Sequence, residues 1–457
     1  MDVESLLKKH KKLHFVGIGG SGMYPLVQIL FSRGYEISGS DNLISDIVEA
    51  ERNMGIEVSI GHSADNIKDA EILVTTAALL PGNPEVMRAE RLGIPVIPRA
   101  ELLGFLTGGF DDAVCISGTH GKTTTASMLT TVLFLSGMDP SAVIGGKLPL
   151  IGGYGRSGKS GIMVCEACEF ADTFLKLDPS YSVILNIDRD HLDYFKTVKN
   201  LKLSFRRFAE KAKKAVIANK DDKNTVETLE GIDKKVYFFG ESEGCDFRVF
   251  DVEKLENARY RFSMNFPNGS TGDFTLSVPG KQNVSNAAAA LASAHLVGCD
   301  TDCSQRYIRE FTGSGRRFEK LGVFSDVTIV DDYAHHPAEI EVTLTAAKEM
   351  GFSEVIAVFQ PFTFSRTKTM LNEFAEALSI ADKVVLTEIM GAREKNTFGV
   401  YTTDLVEKIP GSVWFKEFEQ VAEYCTKIAN PKSLIITLGC GDVYKVARMI
   451  AERLKNR

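Results

Sequence analysis

The sequence lacks the features that mark membrane, secreted or nucleic-acid-binding proteins. No stretch is long and apolar enough to span a bilayer, and the opening segment MDVESLLKKHKKLHFVG has no apolar core of signal-peptide length. The formal net charge is −7, so the basic excess typical of nucleic-acid-binding domains is missing. The eight cysteines lie mostly in apolar runs and indicate buried thiols rather than a disulfide framework. We expect a cytoplasmic protein that binds neither nucleic acid nor a membrane.

The chain is too long for a single hydrophobic core. It has 457 residues, of which 44% are hydrophobic, as in ordinary globular proteins. Short apolar runs alternate with helical patterns in three blocks, which predicts βαβ units around mostly parallel sheets. Residues 246–277 instead alternate with period two and predict an antiparallel meander. The sequence therefore predicts an α/β protein with domains at 1–108, 109–318 and 319–457, separated by linkers near 107–112 and 314–320.

The segment ISGTHGKTTT, residues 116–125, has the residue types of a phosphate-binding loop. It follows an apolar strand and opens a helix, so backbone N–H groups at the helix start can face an anion. The Lys122 ammonium can lie between the terminal phosphates of ATP, and the Thr123 hydroxyl can reach a magnesium ion. Ile116 stands where the general pattern has its first glycine. The predicted nucleotide contacts here are Gly118, Thr119, His120, Gly121, Lys122, Thr123 and Thr124.

A second glycine-rich turn, VGIGGSGM at 16–23, follows the first strand. It fits the dinucleotide-binding fingerprint, and Asp41 ends the next strand, where a ribose-binding acid would stand. Read alone, the turn would suit an NAD-dependent oxidoreductase, but any diphosphate, including that of a UDP-sugar, satisfies it. A phosphate loop has no role in the oxidoreductase reading. The candidate substrate contacts are Gly17, Gly19, Gly20, Ser21, Gly22 and Asp41.

Acidic and imidazole groups follow two further strands of the second block. CEACEF at 165–170 carries Glu166 and Glu169, and LNIDRDHLDYF at 185–195 carries His191. The carboxyl ends of parallel strands meet at one edge of a sheet, where ligands bind. Magnesium takes oxygen ligands, so these groups beside ATP phosphates indicate a metal site. We expect Thr123, Glu166 and His191 to be its ligands.

The third block concentrates functional groups after its strands. DDYAHHP at 331–337 carries His335 and His336, and QPFTFSRT at 360–367 presents Arg366 where an acidic substrate could be paired. SGRRFE at 314–319 carries Arg317 at the second domain boundary, where its planar guanidinium could reach a phosphate. The alternative interpretation of that arginine is a solvated linker charge.

Taken together and in chain order, these segments resemble the Mur ligase family. The resemblance covers the whole chain and includes GKQNVSNAAAA at 280–290 and TLGCGDV at 437–443. It implies a Rossmann-like N-terminal domain for a UDP-sugar, a P-loop ATPase-like central domain, and a Rossmann-like C-terminal domain for an amino acid. The cofactors implied are ATP and Mg²⁺. The residue roles implied are Asn283 and Asn286 at the adenine, Arg317 at the phosphates, Asp332 at the ATP ribose, Glu166 and His191 at the metal, and Lys122, His191, His335, His336 and Arg366 in catalysis.

The resemblance is strongest to the alanine-adding branch of the family. It implies that L-alanine is joined to the lactyl carboxylate of UDP-N-acetylmuramate through an acyl phosphate, by a monomer or weak homodimer. The alternative within the family is a ligase that attaches a recycled peptide to the same nucleotide sugar. A non-catalytic nucleotide-binding protein would not need Glu166, His191 and the 331–337 segment together. Two positions depart from many members, since Gln282 stands in place of His and Phe205 in place of a carbamylated lysine; the alanine-adding branch also lacks that lysine.

Overall fold

The computed structural model describes residues 3–76, 79, 81–392 and 394–456. The chain forms two compact units, one made of Met1–Phe250, Met264–Gly272 and Ser285–Ile308, and the other of Asp251–Ser263, Asp273–Val284 and Arg309–Arg457. Within the described residues, every helix is too short or too polar to cross a bilayer.

The N-terminal part contains a five-stranded sheet of order β3-β2-β1-β4-β5, in which all neighbouring strands are parallel. Apolar side chains of β1 and β4 are fully buried, because helices cover the sheet. The strands are β1 Lys12–Val16, β2 Glu36–Asp41, β3 Glu57–Ile60, β4 Ile72–Thr75 and β5 Val96–Pro98. The helices are α1 Val3–Lys9, α2 Tyr24–Ser32, α3 Asp46–Asn53, α4 Pro84–Leu92 and α5 Arg99–Gly108.

The central sheet has ten strands in the order β15-β14-β13-β12-β11-β10-β6-β9-β7-β8. Pairing is parallel from β13 through β7, and the edge strand β8 is antiparallel to β7. The strands are β6 Asp112–Ser117, β7 Ser141–Leu148, β8 Gly153–Arg156, β9 Ile162–Glu166, β10 Tyr181–Ile184, β11 Ala215–Asn219, β12 Val236–Gly240, β13 Phe247–Lys254, β14 Tyr260–Asn265 and β15 Thr271–Thr275. The helices are α6 Lys122–Leu135, α7 Leu192–Phe195, α8 Val198–Glu210, α9 Lys223–Leu229, α10 Gln282–Leu296 and α11 Thr301–Ile308.

The C-terminal part contains a six-stranded sheet of order β16-β17-β21-β18-β19-β20. Only β16 is antiparallel to its neighbour, and the remaining pairs are parallel. The strands are β16 Glu319–Phe324, β17 Val327–Asp332, β18 Val355–Phe359, β19 Lys383–Leu386, β20 Val413–Trp414 and β21 Leu434–Leu438. The helices are α12 Pro337–Glu349, α13 Phe364–Thr369, α14 Leu371–Leu378, α15 Thr402–Val406, α16 Phe418–Ile428 and α17 Tyr444–Lys455.

The predicted α/β class is confirmed, and each predicted block contains one of the three sheets. The predicted linker at 107–112 is shorter in the structure, because α5 continues to Gly108 and β6 begins at Asp112. The linker predicted at 314–320 ends in an edge strand, β16. The β7–β8 hairpin was not predicted, because GGYGR has too few apolar residues to read as a strand. The domain boundaries stay predictions.

Candidate active site

The predicted phosphate-binding loop lies between two strand ends of the central sheet. Strand β6 is flanked by β9 and β10, and α6 begins directly after the loop, at Lys122. Gly118 and Gly121 have φ values of 145° and 87°, a region that favours glycine. A Cβ on Gly121 would collide with the side chain of Asn286. The backbone conformation therefore requires glycine at both positions. The start of α6 has no side-chain cap, so no side chain competes with an anion for its N–H groups.

The loop is braced by the segment that follows β10. The His120 N–H donates to Asn186 Oδ1 at 2.9 Å, and the Asp188 N–H donates to Thr119 Oγ1 at 2.8 Å. Thr119 is buried by this contact. These bonds fix the loop backbone before any ligand binds, so its N–H groups need little rearrangement to face a phosphate.

Lys122 is held by four oxygen atoms. Its Nζ donates to the carbonyl oxygens of Gly118 and Thr119 at 2.5 and 3.2 Å, and to the Glu169 carboxylate at 2.9 and 3.1 Å. Burial, the largest single influence, would lower the pKa of Lys122, but Glu169, Cys168 and Glu166 together outweigh it and the pKa is raised. The ammonium is therefore charged at neutral pH and lies at the loop.

A second carboxylate contacts the next residue of the loop. The Thr123 hydroxyl donates to Glu166 Oε2 at 3.0 Å, and the Gly145 N–H also donates to Glu166. Glu166 is the last residue of β9, whose neighbour β6 leads into the loop. The structure thus brings together a hydroxyl and a carboxylate that had been predicted as metal ligands.

The third predicted metal ligand, His191, lies beside the other carboxylate of this strand end. His191 Nε2 is 3.9 Å from Glu169 Oε1 and 3.6 Å from Asp190 Oδ2, and its ring packs on Phe170 at 4.9 Å between centroids. Within the part of the chain that the structure describes, no three His, Cys, Asp or Glu side chains converge as a metal cage. Magnesium in nucleotide sites uses one or two protein ligands plus phosphates and water, so Thr123 and Glu166 fit that donor set.

The two predicted adenine contacts are both bonded within the protein. Asn286 is buried and accepts a hydrogen bond from the Thr125 hydroxyl at 3.4 Å, against the phosphate loop. Asn283 donates to the Pro279 carbonyl at 2.7 Å. The Gln282 side chain lies over Gly280, where a Cβ would collide with it. These contacts support the segment's backbone, and the adenine role stays a prediction.

The glycine-rich turn after β1 is closed by Asp41. The Gly19 N–H donates to Asp41 Oδ2 at 3.0 Å, and Gly17 has a φ of 79°. A side chain on Gly19 would meet both Asp41 and Val48. Asp41 therefore holds the turn, and whether it also binds a ribose is a separate prediction.

Two charged residues near this turn were not among the sequence-predicted contacts. The Arg99 guanidinium lies beside Gly22, where a Cβ would be 3.3 Å from one of its nitrogens. Glu51 of α3 is fully buried, and burial, followed by the nearby Asp41 carboxylate, raises its pKa to about 8. Arg99 opens a helix 77 positions after Gly22 in the sequence. Local sequence patterns relate only neighbouring residues, so they could not predict this contact.

The C-terminal motif at the end of β17 is organised by Asp332. Its carboxylate accepts hydrogen bonds from the N–H groups of Phe318, at 2.6 Å, and Ala334, at 2.7 Å. Burial raises the pKa of Asp332 to about 6, against the opposing charge of Arg317. Asp332 therefore joins the arginine-containing segment to the strand end.

The two arginines of that segment have different surroundings. Arg316 Nε donates to Asp331 Oδ2 at 2.9 Å, and its guanidinium also bonds the Gly439 carbonyl at 2.5 Å. The Arg317 guanidinium lies over the Tyr333 ring, 5.0 Å from the centroid. Arg316 is therefore fixed to the sheet, whereas Arg317 lies on a ring face and its charge acts on the buried Asp332 carboxyl.

The predicted catalytic histidines both contact their own segment. His335 Nδ1 is 3.1 Å from the Tyr333 carbonyl and 3.2 Å from Glu339 Oε2. His336 is buried and its Nδ1 accepts from the Ala338 N–H at 3.3 Å, capping α12. Arg366 lies on α13, close to Cys440. Burial raises the pKa of the Cys440 thiol to about 12, and the positive charge of Arg366 opposes that rise.

Family models match three consecutive parts of the chain. They are described as the Mur ligase family catalytic domain, matching residues 12–111, the Mur ligase middle domain, matching 116–294, and the Mur ligase glutamate ligase domain, matching 316–441. Similar proteins span the full length. One from Caldanaerobacter subterraneus subsp. tengcongensis is 43% identical, covering 98% of this chain and 99% of its own, and one from Acetivibrio thermocellus is 41% identical, covering 96% of each. Both are named UDP-N-acetylmuramate–L-alanine ligase.

Solved structures share this architecture. The UDP-N-acetylmuramate–alanine ligase of Thermotoga maritima matches 98% of this chain and 100% of its own, with a TM-score of 0.82 and 27% identity. A murein peptide ligase of Psychrobacter arcticus matches 97% of this chain and 99% of its own, with a TM-score of 0.76 and 21% identity, which shows the fold alone. The three family models together match most of the chain, and the relatives match it at full length. This chain belongs to the Mur ligase family.

Proposed function

We propose that this chain is an ATP-dependent ligase that joins L-alanine to the lactyl carboxylate of UDP-N-acetylmuramate, in cytoplasmic synthesis of a peptidoglycan precursor. The observation that carries the proposal is the full-length similarity at about 40% identity to ligases of that name, together with the preformed phosphate loop. Attachment of a recycled peptide to the same sugar is the second candidate, because the murein peptide ligase shares the fold.

The phosphates of ATP bind to the backbone N–H groups at the start of α6 in this proposal. A carboxylate is a poor electrophile, so the lactyl carboxylate oxygen first attacks the terminal phosphorus of ATP, ADP leaves, and an acyl phosphate results. Lys122 neutralises negative charge on that group as it is transferred. The rest of the protein's contribution is to position the reactants.

Thr123 and Glu166 would hold a magnesium ion here, with His191 at the neighbouring strand end. The ion would neutralise phosphate charge and polarise the group being transferred. Thr123 and Glu166 contact one another at 3.0 Å, so their oxygens face the same small volume. Glu166 is also oriented by the Gly145 N–H, which fixes the direction of its carboxylate.

The nucleotide sugar is assigned to the turn at Gly17–Gly22. Its diphosphate would face the turn's backbone, and Arg99 supplies a positive charge beside Gly22. The amino acid is assigned to the C-terminal part, where Arg366 would pair its carboxylate. His335 or His336 would remove a proton from its ammonium group, since a neutral imidazole can accept one, and the nitrogen would then attack the acyl phosphate and displace inorganic phosphate.

We expect phosphate release from ATP to require both UDP-N-acetylmuramate and L-alanine. Either substrate alone should give only background release, because the acyl phosphate forms on one and is consumed by the other. The measurement is phosphate release with single amino acids and with the tripeptide L-alanyl-γ-D-glutamyl-meso-diaminopimelate. Full activity with the tripeptide but none with L-alanine would transfer the assignment to the recycling ligase.

The glycine-rich turn should bind a UDP-sugar and not NAD. The Arg99 guanidinium beside Gly22 provides a positive charge for a diphosphate, but nothing in the proposed chemistry uses a nicotinamide. Calorimetric titration of the full chain, with the ATP site occupied by ADP, should detect UDP-N-acetylmuramate and give no heat with NAD. Binding of NAD with no response to UDP-N-acetylmuramate would contradict this assignment.

A further inference from the structure

Glu169 is a buried carboxylate that the proposed chemistry does not use. Its relative exposure is 1%, and it lies three residues beyond the end of β9. Its two oxygens are 3.1 and 2.9 Å from Lys122 Nζ, and His191 Nε2 is 3.9 Å from its Oε1. A buried carboxylate without a cation is strongly unfavourable, so Glu169 and Lys122 depend on each other for their charges.

The bonding capacity of the Lys122 ammonium is already filled. An ammonium group has three protons to donate. The carbonyls of Gly118 and Thr119 and the carboxylate of Glu169 provide acceptors for all three. A phosphate that binds Lys122 must therefore displace at least one of these partners, and the carboxylate is the one that repels the phosphate charge.

We infer that Glu169 is a positioning residue that holds the Lys122 ammonium at the phosphate loop and exchanges it with the nucleotide phosphates. The inference rests on the proposed function, because it assumes that ATP binds this loop. Before nucleotide binds, Glu169 keeps the ammonium charged and fixed. While nucleotide is bound, the Glu169 carboxylate competes for the ammonium, which weakens binding. When ADP leaves, Lys122 returns to Glu169, so the carboxylate assists product release.

Glu169→Gln tests this exchange, because it keeps the side-chain shape and removes the charge. We expect ADP and magnesium-free ATP to bind about tenfold more tightly, since a negative charge a few ångströms from the phosphates is removed. ADP should dissociate more slowly, and the turnover number should fall where release limits it. The measurements are calorimetric titration with each nucleotide and stopped-flow ADP dissociation. A residue that only supported the loop's structure would give weaker binding instead.

Two further variants make the test specific. Glu169→Asp keeps the charge and should retain nearly wild-type ADP affinity, which also guards against a folding defect in the glutamine variant. Glu227→Gln removes an exposed carboxylate that pairs with Lys202 and should change neither affinity nor release. Unchanged or weaker ADP binding in Glu169→Gln, or a raised magnesium requirement, would overturn the inference. If the wild-type protein itself binds no ATP and releases no phosphate, the proposed function fails instead.

Discussion

Lys122→Ala should lower the turnover number about a thousandfold while the protein stays folded. A fixed positive charge on a phosphoryl group in transfer contributes about 3 to 5 kcal/mol in sites of this kind. Lys122 meets the condition for such an effect, because the carbonyl oxygens of Gly118 and Thr119, besides Glu169, hold its Nζ at the loop. Steady-state phosphate release at saturating substrates measures the loss.

The same substitution removes the counter-ion of Glu169, so a loss of stability could be mistaken for a loss of chemistry. Breaking one side of a buried ion pair costs about 3 to 5 kcal/mol of stability. The double variant Lys122→Ala/Glu169→Gln removes both charges and should regain stability in thermal denaturation without regaining turnover. Lys202→Ala, at an ion pair with the exposed Glu227, is the matched control and should be close to wild type. Recovery of turnover in the double variant would remove Lys122 from the mechanism.

The arrangement of the phosphate site followed from the sequence because parallel strands end at one edge of a sheet. The loop after β6, Glu166 at the end of β9 and the segment after β10 come from neighbouring strands, and the structure places them side by side. Apolar runs at these strands were long enough to be recognised, so the order of the functional segments along the chain was sufficient to predict a shared edge.

The pairing of Glu169 with Lys122 was not predictable from the same pattern. The chain after β9 is irregular, and Ala171 and Asp172 have left-handed φ values of 53° and 57°. Alanine gives no signal for such a conformation and aspartate adopts it only occasionally, so the direction of the segment could not be read from periodicity. Only the backbone path shows that both Glu166 and Glu169 face the loop.

The C-terminal motif shows a different limit of sequence interpretation. Two acids and two histidines in seven residues predicted a functional cluster, but the same groups also serve as backbone acceptors. Asp332 accepts two N–H groups, and His336 caps α12. Capping and catalysis use the same donors and acceptors, so composition alone could not separate them.

A pH-dependent stability in the N-terminal part should follow from Glu51. Its carboxyl is fully buried, and among the described residues neither oxygen has a hydrogen-bond partner. Burial, and then the charge of Asp41, raises its pKa from 4.5 to about 8. The folded state therefore keeps a proton that the unfolded chain releases. Stability from this group is complete below about pH 4.5, falls as the pH rises to about 8, and is constant above that.

Glu51→Gln should abolish this dependence, because the amide is neutral at every pH. Each unit of pKa difference corresponds to about 1.4 kcal/mol of stability. As the pH rises from 5 to 8, the free energy of unfolding of the variant should therefore increase by about 2 to 5 kcal/mol relative to that of wild type. Hydrogen exchange of peptides covering residues 46–58 measures this difference in stability. Both proteins are compared at the same pH, so that the intrinsic exchange rate cancels. Glu49→Gln, at an exposed position of the same helix, should show no such gain. An equal difference between Glu51→Gln and wild type at both pH values would mean that the Glu51 pKa is not raised. The buried Glu51 carboxyl therefore lowers the stability of the region around Asp41 and the glycine-rich turn at neutral pH relative to an amide.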